Sequence, residues 1–303
     1  MRSSPRTADS LSRLAAPAAS EPWRLSTIAD RLFDLAVWAS AILVIGTFIW
    51  LFGDLLMRGA GELSWHLLTR GVQDSGRAGG IAPILVATVW IVVIALAVAF
   101  PLALATAIVI AEIAPRESRL TCLVVGSLDV LAGTPSVVFG LFGNALFNHV
   151  LGLGYSLISG GLTLACMILP FMIRANVVGL RAVPDSYREA GEALAISRAT
   201  ALFHVLLPAA LPSIAAGVLL GLARALAETA ALLFTSGYVT RMPESLLDSG
   251  RTVSIHIYDL AMNVAGGDAM AYASALVLVM LLILINFSVV SLSRWLQIVM
   301  QRA

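Results

Sequence analysis

Long runs of apolar residues alternate with shorter polar stretches along most of the chain. A helix needs about 20 apolar residues to cross the hydrocarbon layer of a membrane, where the backbone must satisfy its own hydrogen bonds. Six runs of this kind are present, so the sequence predicts an all-α polytopic membrane protein with six transmembrane helices. The predicted helices, TM1 to TM6, cover residues 34–57, 81–111, 123–147, 157–180, 214–236 and 271–296.

The arginines are distributed unequally among the polar stretches. Basic residues are retained on the cytoplasmic side, and six crossings place both termini on one side of the membrane. With the N-terminus inside, thirteen arginines, Arg174 among them, belong to inner segments and five to outer segments, while Arg224 lies within TM5. We therefore expect a multi-pass inner-membrane protein with cytoplasmic termini, a cytoplasmic N-terminal tail over 1–33 and a cytoplasmic loop over 181–213. The tail lacks the apolar core and cleavage site of a signal peptide.

The composition excludes several classes of protein. Apolar residues make up 59% of the chain and charged residues 12%, against about 45–50% and about 25% in soluble domains. The net charge is +1, without a concentrated basic stripe for nucleic acid. Cys122 and Cys166 have neither metal-ligand spacing nor a disulfide pattern, so we expect two small core residues, no metal and no other cofactor.

A short helix is predicted within the loop 181–213. Pro184 suits a first helical position, and the helix runs from about 184 to 195 with small apolar side chains. Another protein could therefore approach its backbone closely. Pro208 and Pro212 are expected to break the chain before it re-enters the membrane.

This loop resembles that of the integral membrane subunits of ABC importers, which carry the pattern Glu-Ala-Ala-x3-Gly-x9-Ile-x-Leu-Pro. The corresponding positions are Glu189, Ala190, Gly191, Ala195, Val205, Leu207 and Pro208. Gly191 replaces the second Ala, and Ala195 replaces the Gly with less freedom to adopt a positive φ. The resemblance implies a MetI-like type I importer fold whose loop helix seats in a groove of an ATP-binding subunit. An ordinary amphipathic surface helix is the alternative.

Two charged residues, Arg224 and Glu228, lie within TM5. A charge in the bilayer costs at least about 2.5–3.5 kcal/mol, so each needs a partner or a purpose. Their i, i+4 spacing places them on one helical face, which also carries the small residues Gly217, Gly221 and Ala225. One interpretation is an ion pair that locks a tight helix contact. The other is that Arg224 offers a bidentate donor to a passing anion, which Glu228 holds or releases.

Two segments are similar to the phosphate ABC transporter permeases of the PstA type. Residues 222–235 read Leu-Ala-Arg-Ala-Leu-Ala-Glu-Thr-Ala-Ala-Leu-Leu-Phe-Thr, where that family carries Ala-Arg-Ala-x-Gly-Glu-Thr-Ala. Residues 132–143 read Ala-Gly-Thr-Pro-Ser-Val-Val-Phe-Gly-Leu-Phe-Gly, similar to the family's Pro-Ser-Ile-Val-x-Gly-Leu-Phe-Gly. The resemblance covers about 80–296, the expected permease core. A short first outer loop and the residues 255–258 favour the PstA type over its sister permease.

The resemblance implies a path for an oxyanion beside TM3 and TM5. Pro135 removes a backbone hydrogen bond from TM3, so we expect a bend beside a cavity. Asp129 either pairs with Arg224 or faces water at the end of its helix. The residues expected along the substrate pathway are Arg224, Glu228, Thr229, Ser136, Thr134 and Asp129.

The resemblance also implies the partners and the division of labour. The 19 basic residues are all Arg, so the chain lacks the Gly-rich loop with Lys that cradles ATP phosphates. We expect no enzymatic activity in this chain and ATP hydrolysis in a partner. The implied partners are an ATP-binding subunit dimer, a sister permease of the PstC type, an external phosphate-binding protein of the PstS type and membrane lipid. Sulfate or molybdate remains an alternative substrate, because one Arg binds any of these oxyanions.

Two other classes of membrane protein fit less well. An intramembrane protease needs a nucleophile and a His within the bilayer, but Ser159 lacks the glycine-flanked elbow and the four histidines fall in loops or at span ends. A secondary transporter usually contains inverted repeats with broken helices in both halves. No second copy of the segment from Arg224 to Glu228 is found.

Overall fold

The computed structural model describes residues 27–115 and 118–300, and within them the chain is mostly helical. The helices are α1 Thr27–Gly59, α2 Trp65–Thr69, α3 Ala82–Ile108, α4 Arg119–Gly133, α5 Ser136–Gly143, α6 Leu157–Arg181, α7 Asp185–Ala193, α8 Arg198–Ala201, α9 Leu207–Leu226, α10 Ala230–Leu233, α11 Val253–Met262 and α12 Asp268–Met300. The π-helical turns Val109–Ile113, Asn144–Val150 and Leu202–Leu206 adjoin α3, α5 and α9. A two-residue antiparallel pairing joins β1 Val72–Gln73 to β2 Ala78–Gly79. The chain divides into two compact units, the first ending at Gly53 and the second beginning at Asp54.

Five of the described helical segments are long and apolar enough to cross a membrane, and a bent pair raises the number to six. The predicted TM2, TM4 and TM6 coincide with α3, α6 and α12 to within a few residues. The predicted TM1 lies within α1, which extends beyond it at both ends, from Thr27 to Gly59. The sequence has no Pro or Gly between Pro22 and Thr27, and Asp30 in the first turn of α1 suits the positive end of the helix dipole. Most of the predicted tail, residues 1–26, lies outside the described residues.

The predicted TM3 is two helices rather than one. α4 and α5 are bent by 101° at Thr134 and Pro135. Both residues have extended backbone with ψ of 132° and 141°, because the residue before a proline is disfavoured in the helical region and Pro135 has no N–H to donate. The expected bend is present, but it is sharp enough to make this segment a broken span or a re-entrant loop.

The predicted TM5 differs at both ends. Helical structure is continuous from Arg198 to Leu226, so Pro208 and Pro212 do not break the chain as expected. Pro208 lies at the start of α9, directly after the π-helical turn Leu202–Leu206, so the irregular turn and the proline adjoin within one helical segment. At the other end, α9 stops at Leu226, and the short helix α10 begins only at Ala230.

The main core lies among α3, α6 and α9, with α6 packed against both neighbours. α3 presents Ala95, Ala99, Ala103 and Ala107 at i, i+4 spacing, and each is fully buried. Small side chains at this spacing let two helices approach closely, which is how helices in membranes gain dispersion contacts without a hydrophobic driving force. α9 approaches in the same way at Gly217, where an added Cβ would lie 2.9 Å from Ala175 Cβ.

A buried polar cluster holds α11 against the chain that follows α10. Arg251 donates from Nη1 to Asp259 Oδ2 at 2.8 Å, and its guanidinium lies 4.3 Å from the Tyr238 ring centre. Tyr238 Oη and Asn263 Nδ2 donate to Asp259 Oδ1 at 3.1 and 2.9 Å. His256 beside them is fully buried, and its Nε2 has no partner among the described residues. Burial first and the Arg251 charge second lower the His256 pKa to about 4, so its ring is neutral at neutral pH.

Candidate functional site

The helix α7 coincides with the one predicted for the loop 181–213. It begins after Pro184, which has extended backbone and acts as the N-cap residue, and it exposes Glu189 and Ala190 while burying Gly191 against α8. Exposed apolar side chains lie beside it, including Leu194, which is 74% exposed. A surface that combines carboxylates with exposed apolar groups suits contact with a partner protein.

The end of α7 is a Schellman motif with an alanine at the position that glycine usually takes. Ile196 N–H donates to Gly191 O at 3.1 Å and Ala195 N–H to Glu192 O at 3.0 Å. Ala195 itself has φ of 53°. Left-handed backbone is disfavoured for a residue with a Cβ. The motif that resembles ABC importers therefore keeps its expected backbone shape at Ala195 and stores some strain there.

Leu207 and Pro208 of the motif lie at the start of α9, and Pro208 lines a cavity of about 500 Å³. Both residues are half-buried. The cavity wall includes Pro184, Tyr187, His204, Pro208, Ser213 and Gln297. Pro208 of the motif and Tyr187 of α7 therefore line the same cavity, whereas Glu189, Ala190 and Gly191 lie outside its wall.

The break after α9 turns Glu228 away from Arg224. Glu228 is only 6% exposed, and its Oε1 accepts from the N–H of Ala231 at 3.1 Å, which satisfies a free donor in the first turn of α10. Its backbone carbonyl accepts from the Ser254 hydroxyl, which ties the break to α11. The i, i+4 ion pair with Arg224, one of the two interpretations of the sequence, is not formed, because that spacing holds only in an uninterrupted helix.

Arg224 lies exposed near the end of α9, and its guanidinium carbon is 5.5 Å from the centre of the Phe171 ring on α6. It does not share the buried face of Gly217, Gly221 and Ala225, which packs towards α6. A guanidinium over an aromatic ring is held in place while its N–H groups stay available. No carboxylate pairs with Arg224 among the described residues, so its charge is open to an anion.

Asp129 pairs with Arg174 rather than with Arg224 or with water alone. Arg174 was assigned to an inner loop by the arginine count, but it lies inside α6. Phe171 and Arg174 line a groove of about 390 Å³ between α6 and α9, which is otherwise apolar except for Ser213. Phe171 contacts Arg224 as well, so two arginines lie near one groove.

The three hydroxyl residues of the predicted pathway are less closely associated. Thr134 Oγ1 donates to its own helix at Val130 O, 2.8 Å away. Ser136 opens α5, and Thr229 precedes α10 at the helix break. Within the described ranges no hydrogen bond joins these hydroxyls to Arg224 or Glu228.

Sequence reasoning missed three residues of this region. Phe171 looked like an ordinary member of TM4. Arg174 was counted with the inner segments, although it is a charge within the apolar run 157–180 predicted as TM4, and that charge was the available signal. Arg188 was treated as one charge in the loop, but it binds Glu112 at the end of α3 with a 2.7 Å contact, and this hydrogen bond raises the Arg188 pKa. In the described part of the chain, no group of three His, Cys, Asp or Glu residues could hold a metal ion. Cys122 is exposed, contrary to expectation, and Cys166 is partly buried.

Comparison with known proteins identifies the family of this chain. The sequence pattern of the family described as binding-protein-dependent transport system inner membrane component matches residues 103–298. The chain is 30% identical to the Probable ABC transporter permease protein YqgI of Bacillus subtilis over 89% of this chain and 94% of that protein. It is 31% identical to the Phosphate transport system permease protein PstA 2 of Mycobacterium bovis, over 89% of this chain and 91% of that protein.

Solved structures support the same fold. An inward-facing structure of the MetNI methionine ABC transporter aligns with 72% of this chain and 94% of its own chain, at a TM-score of 0.55 and 16% sequence identity. At that identity the likeness concerns the fold alone. The expected MetI-like fold and the resemblance to PstA-type permeases are both confirmed.

Proposed function

The chain belongs to the family of binding-protein-dependent transport system inner membrane components, and we propose that it moves inorganic phosphate across the bacterial inner membrane in an ATP-driven importer. The observation that carries phosphate is the similarity, over most of the chain, to several permeases named for phosphate transport. The two alternatives, another oxyanion such as sulfate or molybdate and a secondary transporter, are outcomes of the test below.

The groove between α6 and α9 is the proposed place where the anion passes. Arg224 offers N–H groups that match the oxygen geometry of a phosphate, and its stacking on Phe171 limits the entropy lost on binding. Arg174 contributes a second guanidinium whose counterion, Asp129, can be displaced by a passing anion. Thr134, Ser136 and Thr229 stay candidate hydroxyl donors at the helix breaks.

Glu228 has a supporting role in this proposal. Its carboxylate is used to cap α10, so it fixes the broken end of α9 and thereby the position of Arg224. Broken helices with exposed backbone ends are the usual way in which transporters build a polar path inside a bilayer. We expect Glu228→Gln, whose amide oxygen can still accept from Ala231 N–H, to transport better than Glu228→Leu.

The energy for transport comes from partners in this proposal. An ATP-binding subunit dimer docks on α7 through Glu189, Ala190 and the residues around Ala195, a sister permease of the PstC type completes the pore, and an external binding protein of the PstS type delivers phosphate. α7 and both termini then face the cytoplasm. Closure of the ATPase dimer displaces α7 and switches the pore between outward and inward access.

The test is uptake of radiolabelled phosphate by cells that lack this subunit and are complemented with wild type or a variant. Sulfate and molybdate are added as competitors, and complex assembly is measured in parallel. Arg224→Gln should assemble and lose uptake at least tenfold, whereas Arg294→Gln, which removes an exposed charge on α12 away from the groove, should behave like wild type.

Each other outcome has a definite meaning. If excess sulfate or molybdate abolishes phosphate uptake by cells with the wild-type chain, the substrate is assigned to another oxyanion. Uptake that continues without any ATPase partner assigns a secondary transporter. Normal uptake by assembled Arg224→Gln removes this residue from the pathway.

A further inference from the structure

The helix α7 is tied to the end of α3 by one arginine. Arg188 Nη2 donates to Glu112 Oε1 at 2.7 Å, and Arg188 Nε donates to Glu112 Oε2 at 3.1 Å. The two parallel bonds form a bidentate pair, which fixes orientation as well as distance. The side chains are 27% and 14% exposed, so solvent screens this pair less than it screens the surface pairs of the molecule.

Arg188 also holds the chain between α6 and α7. It donates to the carbonyls of Leu180 and Val183, each at 3.0 Å, and to Asp185 Oδ1 at 3.0 Å. One guanidinium therefore joins the last turn of α6, the first turn of α7 and the end of α3. Its five donors are directed to fixed acceptors, a geometry that a Lys ammonium could not reproduce.

The acceptor Glu112 lies in an unusual piece of backbone. It belongs to the π-helical turn Val109–Ile113, and the same turn receives a weaker bond from Arg181 Nη2 to Ile110 O at 3.4 Å. Single π turns at helix ends recur at functional sites. From this turn, α3 runs without interruption back to Ala82 through the alanine face that packs on α6.

The opposite side of α7 is free for a partner. Glu189 and Glu192 are exposed, whereas Arg188 is partly buried and Gly191 is buried. A partner that pushes or pulls α7 from its exposed side thus acts on a helix whose inner side is bound to α3. The load would pass through the contact between Arg188 and Glu112.

We propose that Glu112 is a positioning residue that transmits movement of α7 to α3 through Arg188. The inference rests on the proposed function, since it assumes that a partner ATPase moves α7. It assigns to α3 a part in the access change that the sequence motif alone does not give. Loss of the Glu112 carboxylate then lets α7 move without α3, so ATP is hydrolysed with little transport.

The test uses the complete complex in proteoliposomes and measures both phosphate accumulation and ATP hydrolysis. Glu112→Ala should keep ATP hydrolysis within about twofold of wild type and lower the phosphate transported per ATP at least tenfold. Asp185→Asn is the matched control, because it removes the other carboxylate partner of Arg188 but leaves the link to α3. The control should keep both rates within about twofold of wild type.

Combining variants separates a coupling role from a structural one. Adding Glu112→Ala to Arg188→Gln should lower transport per ATP no further than Arg188→Gln alone, because both break the same contact. A wild-type ratio in Glu112→Ala overturns the proposal. So does a loss of transport and ATP hydrolysis in equal proportion in a complex that still assembles. If Glu112→Ala does not assemble, Glu112→Gln, which keeps an acceptor but not the charge, must show the lowered ratio.

A distance measurement keeps this inference separate from the phosphate assignment. Spin labels are placed at Ser186 on α7 and Ala105 on α3, both exposed, in a chain with Cys122 and Cys166 replaced by Ser. The distance between the labels should stay the same in nucleotide-free and ATP-bound wild type and change with nucleotide in Glu112→Ala. If the distance in wild type changes with nucleotide, the proposed coupling of α7 to α3 is overturned. If wild type accumulates no phosphate but the distance between its labels stays constant, only the assignment of phosphate as substrate is overturned.

Discussion

Acid should destabilise the protein through His256, and the size of the effect follows from its burial. The His256 pKa is lowered from 6.5 to about 4. The unfolded chain therefore takes up a proton as pH falls through 6.5, while the folded protein takes it up only near pH 4. Stability is lost between these two values and not above them, at about 1.4 kcal/mol per pH unit, or about 3 kcal/mol in total. For a chain of this size, that loss corresponds to a decrease of roughly 6–12 °C in the unfolding midpoint.

The assay is thermal unfolding of the purified protein at pH values from 7.5 to 4, with His256→Gln as the control that cannot titrate. Protonation of carboxylates that are paired in the fold, such as Asp259 with its lowered pKa, also destabilises the protein, but only at still lower pH. This destabilisation is expected to be equal in wild type and in the variant. The unfolding midpoint of wild type should fall more steeply than that of the variant between pH 6.5 and 4. Parallel curves would refute the reasoning, because they would show that His256 is protonated in the folded protein at its ordinary pKa.

Two further substitutions test the local geometry of the proposed site. Ala195→Gly should stabilise α7 by about 0.5–1 kcal/mol by relieving the positive φ of Ala195, seen as slower amide hydrogen exchange in α7, whereas Ala193→Gly within the helix should speed that exchange. Faster exchange in Ala195→Gly would contradict the strained motif. Gly217→Ala should destabilise the protein by about 1–3 kcal/mol, because its Cβ would lie 2.9 Å from the Cβ of α6 opposite it. Gly126→Ala, with open space around it, is the control, and equal unfolding midpoints for both variants would contradict the close approach of α6 and α9.

The predicted TM2, TM4 and TM6 agree with long apolar helices of the fold, because length and apolarity are properties that the sequence shows directly. Predicted TM4, 157–180, and α6, Leu157–Arg181, agree closely, since a Ser156 cap and a run of apolar residues define its start. The helix in the loop was also found, because Pro184 and the small residues that follow are local signals.

The interior of the proposed site depended on facts that are not local. The interpretation of Arg224 and Glu228 as an ion pair assumed an unbroken helix, but the chain turns after Leu226 and uses the carboxylate as a cap. Asp129 was considered with Arg224, and its partner is Arg174 on another helix. The periodicity of apolar residues in the sequence does not indicate which charged residue becomes the partner, because the packing of the helices decides it.

The same limit applies to the contact between Arg188 of α7 and Glu112. Arg188 and Glu112 are separated by 76 positions, and the sequence analysis gave neither residue a partner. Only the positions of α3 and α7 in the fold show that they meet. The π-helical turn that presents Glu112 likewise has no sequence signature comparable to a proline or a glycine.

The most direct test of the proposed phosphate transport is ATP-dependent accumulation of radiolabelled phosphate in proteoliposomes that contain this chain with the proposed sister permease, ATPase and external binding protein. The account predicts accumulation that requires ATP, persists in excess sulfate and is lost when Arg224 is replaced by Gln in a complex that still assembles and hydrolyses ATP. A complete complex that hydrolyses ATP and accumulates no phosphate would contradict the account.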